Sequence, residues 1–352
     1  MKLLAITIIL SPLIANATVA IDYTTVGAPG NVADANGNGA MSTTFQMGRY
    51  EVTNAQYVQF LNSADPSGAN SLALYNVSMT SNPMGGINFT GGGASGSKFS
   101  LKLGYDNYPV VFVNIFDTFR FTNWLHNGQA SGTTESGAYT LLGGTPVPSN
   151  AGSIVRSPGA QVWIPNRNEW VKTAYYDTTL NGGLGGYHLY PTSSDTTPNN
   201  RPPNSTDANS ANFYRNDGGP DVGAGPSVNH GWALTGTPYP ATSGAANSLT
   251  PVGSYSLTTS PFGAYDMSGN ALEWTDDPIG SLNRVMGGAW EFGFGPGYNG
   301  GGAASPSTTE GSAWGFRVAS VPEPTTGFLV FSSLSLFMFR RHRTRHHATS
   351  HR

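Results

Sequence analysis

The segment whose residue types could hold a ligand is Ser268-Gly269-Asn270-Ala271-Leu272-Glu273-Trp274. A Gly-Asn turn leaves backbone carbonyls free, and Glu273 adds a carboxylate nearby. Carbonyls plus one carboxylate suit Ca²⁺, a hard cation that takes about six to eight oxygens. The other reading is that Glu273 accepts hydrogen bonds from backbone amides. Other chemistries are poorly provided. The 352 residues include no cysteine, which excludes disulfides, thiolate metal sites and Cys nucleophiles. His126, His188 and His230 are widely separated, without metal-ligand spacing. No Gly-x-Ser-x-Gly elbow or phosphate loop occurs. Asp195, Asp276 and Asp277 read as surface or turn carboxylates rather than acid/base pairs.

Short elements must position that loop. Phe45 to Val52 alternates like a strand, after an irregular first strand in 21–44. Thr53 is a suitable N-cap for a helix over Asn54 to Asn62, with Tyr57, Phe60 and Leu61 on one apolar face. Residues 63–104 read as loops with a hairpin. Tyr108 to Val113 reads as a strand, Asn114 to His126 as a helix, Gln161 to Pro165 as a strand and Arg167 to Tyr176 as a helix. Residues 178–250 carry little regular pattern. Gly (46) and Pro (24) are abundant and charged residues only 11%, so the expected fold is α+β with few helices, short strands and long loops.

The ends differ from the body. Met1-Lys2 followed by the apolar run Leu3 to Ile14 and the small residues Ala15-Asn16-Ala17 reads as a signal peptide, within 1–20, cut after Ala17 or Ala20. At the other end Pro322-Glu323-Pro324 precedes the apolar run Gly327 to Phe339 and a cluster of arginines. That run is shorter than the ~20 residues of a free-standing span, but its charge order fits a stop-transfer segment. The block, 321–352, resembles the PEP-CTERM sorting signal of Gram-negative bacteria. The resemblance implies an exosortase-type partner, transient anchoring in the inner membrane, and display at the outer surface or in the extracellular matrix. Five of the 17 basic residues lie in the terminal Arg-rich stretch, which leaves 12 against 20 acidic residues. A negative body does not point to nucleic acid.

The internal blocks, in order, resemble the formylglycine-generating enzyme (sulfatase-modifying factor) family. They are Gly48 to Tyr57, Tyr108-Pro109-Val110, Phe121 to Leu125, Ile164 to Trp170, Gly269 to Trp274, Arg284 to Trp290 and Gly315-Phe316-Arg317. The resemblance covers about residues 45–320 and implies one domain over 21–320, with that family's variant of the C-type-lectin-like fold. It assigns a structural calcium to Ser268, Gly269, Ala271 and Glu273. A second calcium would use Asn212 and Phe213 with a later Asp, which 242–248 lacks. Family oxidases bind copper through two cysteines shortly after the Arg-Val-x-x-Gly-Gly block. Here Phe292 and Gly297 occupy those places, and neither can hold Cu(I), which selects soft sulfur. From the residues themselves, Arg317 is expected to set a guanidinium against a core carboxylate.

These readings combine into an exported, non-catalytic domain that binds something or builds a matrix. Long loops on a rigid base are where binding usually sits. Tyr187, His188, Tyr190, Tyr214, His230 and Trp232 within 178–250 would suit a polysaccharide or a surface protein. The rival is an enzyme of the same fold with cysteine-independent chemistry near Glu291.

Overall fold

A computed structural model describes residues 18–129, 134–203, 206–213, 247–291 and 302–322. Phe292, Gly297, Glu323, Pro324, the apolar run 327–339, most of the signal segment and Tyr214, His230 and Trp232 lie outside the described residues.

Three principal helices share one start device. Helix α1 (Asn54–Ala64) is capped by Thr53, α3 (Ile115–His126) by Asn114 and α4 (Arg167–Tyr175) by Asn166. Each cap side chain accepts the N3 backbone N–H, while the N3 side chain (Gln56, Asp117 or Glu169) accepts the cap's own N–H. These reciprocal bonds satisfy donors that a helix start otherwise leaves orphaned. A single turn, α2 (Ser78–Ser81), lies between the first two. Helix α3 buries every residue from Ile115 to Trp124, Asp117 and Arg120 included, as a helix must when the core surrounds it.

The strands are short, as expected. In chain order they are β1 (Tyr23–Val26), β2 (Phe45–Gly48), β3 (Ile87–Phe89), β4 (Phe99–Leu101), β5 (Val162–Trp163), β6 (Tyr176–Asp177), β7 (Gly186–Tyr187), β8 (Leu272–Ile279), β9 (Leu282–Met286), β10 (Ala303–Pro306), β11 (Trp314–Gly315) and β12 (Ala319–Ser320). One sheet has the order β1-β2-β12-β5 and a second β10-β9-β8-β11, with two small hairpins, β3-β4 and β6-β7. Strand β12 joins antiparallel to both β2 and β5, although these stand far apart in the chain.

Tyr108 to Val113 does not form the expected strand. Pro109 lacks an N–H, and Phe112 is left-handed (φ 65°), so in place of a ladder there are scattered pairings: an isolated bridge of Thr53 with Pro109, the Asn54 N–H on the Tyr108 carbonyl, the Val110 N–H on the Val52 carbonyl and the Phe112 N–H on the Gly311 carbonyl. The segment's side chains still fill the core: Val110, Val111 and Val113 are buried against an aromatic group formed by Tyr57, Phe60, Phe121, Trp124 and Phe316. A smaller core packs Trp170 and Ala174 on Met267 and Met286. Among the described residues no helix is long and apolar enough to cross a membrane.

Candidate functional site

The loop 266–274 is held by backbone as much as by side chains. Asp266, Gly269 and Asn270 all adopt left-handed conformations (φ 54°, 90° and 61°). At Gly269 the requirement is absolute, because a Cβ there would lie 2.2 Å from the Asn212 carbonyl oxygen. That carbonyl instead accepts the Asn270 N–H at 2.7 Å, and the Gly269 N–H bonds the Gly287 carbonyl at 2.7 Å. The two segments that the resemblance assigns to separate calcium sites are thereby joined: Asn212 and Gly269 form a parallel bridge.

Asn270 is the hub. Its Nδ2 donates to Glu51 Oε1 (3.1 Å) and the Thr250 carbonyl, while its Oδ1 accepts from the Thr250 N–H (2.9 Å) and from Asn212 Nδ2 (3.2 Å). Glu51 is buried. Its Oε1 also takes the Ala271 N–H, and its Oε2 has no hydrogen-bond partner. Burial, then the charges of Asp266 and Glu273, hold the Glu51 carboxyl well above the usual carboxylate range. Burial likewise pushes Asp266 up to about 6, against the opposing Gly253 N–H bond of 2.6 Å and the charge of Arg317.

Glu273 occupies the centre. Arg317 grips it in a bidentate pair, Nε to Oε2 and Nη2 to Oε1, both at 2.6 Å, and both side chains are fully buried. Trp170 Nε1 donates to Oε2 at 2.8 Å. The remaining guanidinium donors reach the carbonyls of Gly48 (2.9 Å), Arg49 (3.3 Å) and Tyr265 (2.9 Å), so all five N–H groups are used. The carboxylate expected opposite Arg317 is therefore Glu273. It does not bond backbone amides, and it does not stand with both oxygens free for a cation. Three carboxyl groups surround one guanidinium, an arrangement that favours protons, or another cation, on Glu51 and Asp266. Ser268 is buried with an unpaired hydroxyl, and it lines with Asp266 a void of about 10 Å³. Among the described residues no three His, Asp or Glu side chains group as metal ligands.

At the second expected site Asn212 Oδ1 is buried and unpaired, and so is the Ser248 hydroxyl. Asn212 Nδ2 donates to the Ser248 carbonyl (2.9 Å). The Phe213 carbonyl accepts from Asn200 Nδ2 at 3.3 Å.

The three carboxylates read as surface or turn groups all have partners. Asp276 lies on β8 with its side chain only 8% exposed, accepting from Tyr139 Oη (2.8 Å) and from Arg156 Nε (3.0 Å). Arg156 also pairs with Glu169 (2.8 Å), the N3 residue of α4. Burial pushes Asp276 up to about 7, against the charge of Arg156. Asp195 Oδ1 faces His188 Nδ1 at 3.4 Å, and Asp177 Oδ2 faces its Nε2 at 3.2 Å. Asp277 accepts the Arg167 N–H at the start of α4. Glu51 was missed altogether; its only sequence signal was the strand-to-helix block in which it stands.

The Sulfatase-modifying factor enzyme 1-like domain matches residues 24–328. The chain belongs to this family. The fold is accordingly the sulfatase-modifying-factor variant, α+β with few helices and long loops. Among solved structures it is similar to CarF (20% identity, 86% of this chain and 99% of that one, TM-score 0.48). It is similar also to variable protein 1 of Treponema denticola (17%, 85% and 95%, 0.46) and to PvdO from Pseudomonas aeruginosa (16%, 86% and 92%, 0.39). No curated protein matches the chain.

Proposed function

We propose that the chain is an exported, non-catalytic sulfatase-modifying-factor-like domain, sorted to the cell surface or extracellular matrix, with a binding or structural role. The observation that carries this reading is the complete lack of cysteine in a chain whose Glu273–Arg317 pair and capped helices still build the family scaffold. Copper-dependent oxidation needs thiolate ligands that hold Cu(I), and this chain supplies none. The full-length protein, incubated aerobically with Cu(I) and a cysteine-containing peptide, should form no aldehyde by mass spectrometry. It should bind at least one polysaccharide or surface protein saturably on a matrix-component array. Aldehyde formation would overturn the non-catalytic assignment, and uniform non-binding would sink the binding role.

A structural calcium belongs to the same proposal. Asp266 and Ser268, with the carbonyls of Gly269 and Ala271, would hold it, and Glu273 would reach it only through lone pairs left over from Arg317 and Trp170. The excess of acid over guanidinium and the unpaired Glu51 Oε2 and Ser268 hydroxyl support it. The ion would neutralise this buried acid and pin the loop. Calcium should raise Tm relative to chelator, and an unchanged Tm discards it.

Export is supported by the pattern of the two ends, and one contact favours cleavage after Ala17 over Ala20. Val19 is buried, and its N–H and carbonyl bond the two ends of the Gln129 carboxamide at 2.6 and 2.7 Å. Cleavage after Ala20 would discard that clamp. N-terminal sequencing of the secreted protein should begin at residue 18. The enzymatic alternative rests on Glu291, whose carboxyl is raised by burial and bonded to Ser312. A turnover abolished by Glu291→Gln would favour it.

A further inference from the structure

Beside the β3-β4 hairpin lies a cavity of about 540 Å³ that none of the preceding assignments uses. One wall is aromatic. Tyr75, Phe89 and Phe99 pack on one another with ring centroids 5.4–5.7 Å apart. Phe89 is 40% exposed and the neighbouring Val77 71% exposed. Facing this apolar surface is one charged group, Glu310.

Glu310 is held in place by two carboxamides. Its Oε1 accepts from Asn114 Nδ2 at 2.6 Å, and its Oε2 accepts from Asn76 Nδ2. No described lysine or arginine pairs with it. Lys98, packed beside Gly68 at the rim, places its ammonium on the Gly91 carbonyl (2.6 Å). Arg120 is spent on Glu135 and on the carbonyls of Thr145 and Pro146. A second acid lies nearby: Asp117 is buried, its Oδ1 has no partner, and burial and then the charge of Glu310 raise its carboxyl well above the usual range.

The hydrogen-bonding character of the cavity selects among ligands. The Asn76 carboxamide serves Glu310, and Asn70 Nδ2 serves the Tyr75 carbonyl (2.7 Å). Thr80 gives its proton to the Ile87 carbonyl (2.8 Å), so Tyr75 Oη donates to Thr80. Each of these donor groups is thus already committed to at least one protein acceptor, while the Glu310 oxygens keep lone pairs. A sugar, which presents acceptors as well as donors, would find only half its partners. A hard metal ion would find one carboxylate and an aromatic wall. A cation on an apolar stem meets both surfaces, through a charge-assisted hydrogen bond to Glu310 and contact with ring faces.

We infer that this cavity binds a small alkylammonium, its nitrogen on Glu310 and its carbon chain along Tyr75, Phe89 and Phe99. The site would bind whether or not the scaffold is catalytic. The test is calorimetric titration of the full-length protein with n-butylammonium chloride, with 1-butanol as the neutral counterpart. Saturable one-site binding is expected, with butanol weaker by about tenfold or more and Glu310→Gln costing about tenfold. Phe89→Ala, at a partly exposed position, should keep the circular dichroism spectrum and weaken binding several-fold. Equal affinity for butanol, undiminished binding by folded Glu310→Gln or Phe89→Ala, or no saturable heat would each overturn the assignment. A lysine tripeptide that bound much more tightly than butylammonium would overturn its small-molecule part.

Discussion

Two arginine–carboxylate centres lie in the same domain and solve opposite problems. Arg317 and Glu273 are completely shut off from water, and the guanidinium ties together the carbonyls of residues 48, 49 and 265. Arg156 keeps a quarter of its side chain in solvent, stacks on Trp163 and bridges Glu169 on α4 to Asp276 on β8. In the first centre a broken pair would have nowhere to send its charge. In the second, water and a proton on Asp276 can absorb the loss. The same chemical pair is therefore a structural necessity in one place and an adjustable clamp in the other.

The sharpest way to break this contrast is to remove each arginine. Arg317→Met should cost about 3–5 kcal/mol, the range for orphaning a buried charge, and in a domain of ordinary stability that approaches unfolding. Urea denaturation followed by tryptophan fluorescence measures it. Arg156→Met should cost about 1–2 kcal/mol, since partial exposure and protonation of Asp276 relieve the loss. Equal losses in the two variants would remove the distinction.

A pH series compared between wild type and an Asp276 variant sharpens the second centre. The folded-state pKa of Asp276, about 7, lies above its ordinary 3.8. Between those values the folded protein binds the proton that the unfolded chain releases, so stability from this group is full below about pH 4 and lost as pH rises to about 7. Asp276→Asn should flatten that part of the Tm-against-pH curve. An identical slope in wild type and variant would contradict the assignment. The smallest effect belongs to Glu51→Gln. Burial raises that carboxyl well above the usual carboxylate range, so the variant should lose less than about 1 kcal/mol in mild acid without calcium. A larger loss would mean that Glu51 is ionised in the fold.

Local features of this fold are readable from the chain. Thr53 announces the first helix start, and the structure shows it as a reciprocal cap with Gln56, as Asn114 with Asp117 and Asn166 with Glu169 also prove to be. Arg317 could be expected to meet a carboxylate, because a guanidinium among apolar neighbours must be paired. Which carboxylate could not be read, since Glu273 is 44 residues away and nothing local favours it over Glu51. Asp276 misled for the same reason. Thr-Asp-Asp-Pro looks like a turn, and its partners Tyr139 and Arg156 are 137 and 120 residues distant. Tyr108 to Val113 has strand composition, but the left-handed Phe112 that ends the pairing is fixed by tertiary contact: its N–H bonds the Gly311 carbonyl.

The place of β12 orders events during synthesis. Among the described residues, 319 and 320 link β2, which leaves the ribosome early, to β5 in the first sheet. Until they emerge, β2 and β5 stand as exposed edges with no partner between them. Contacts of such sequence separation form late, so the domain completes its fold after its chain is made rather than along with it. Under the proposed export, a chain that crosses a translocon unfolded is served by that delay, because β12 near the end of the domain completes the sheet that its start begins.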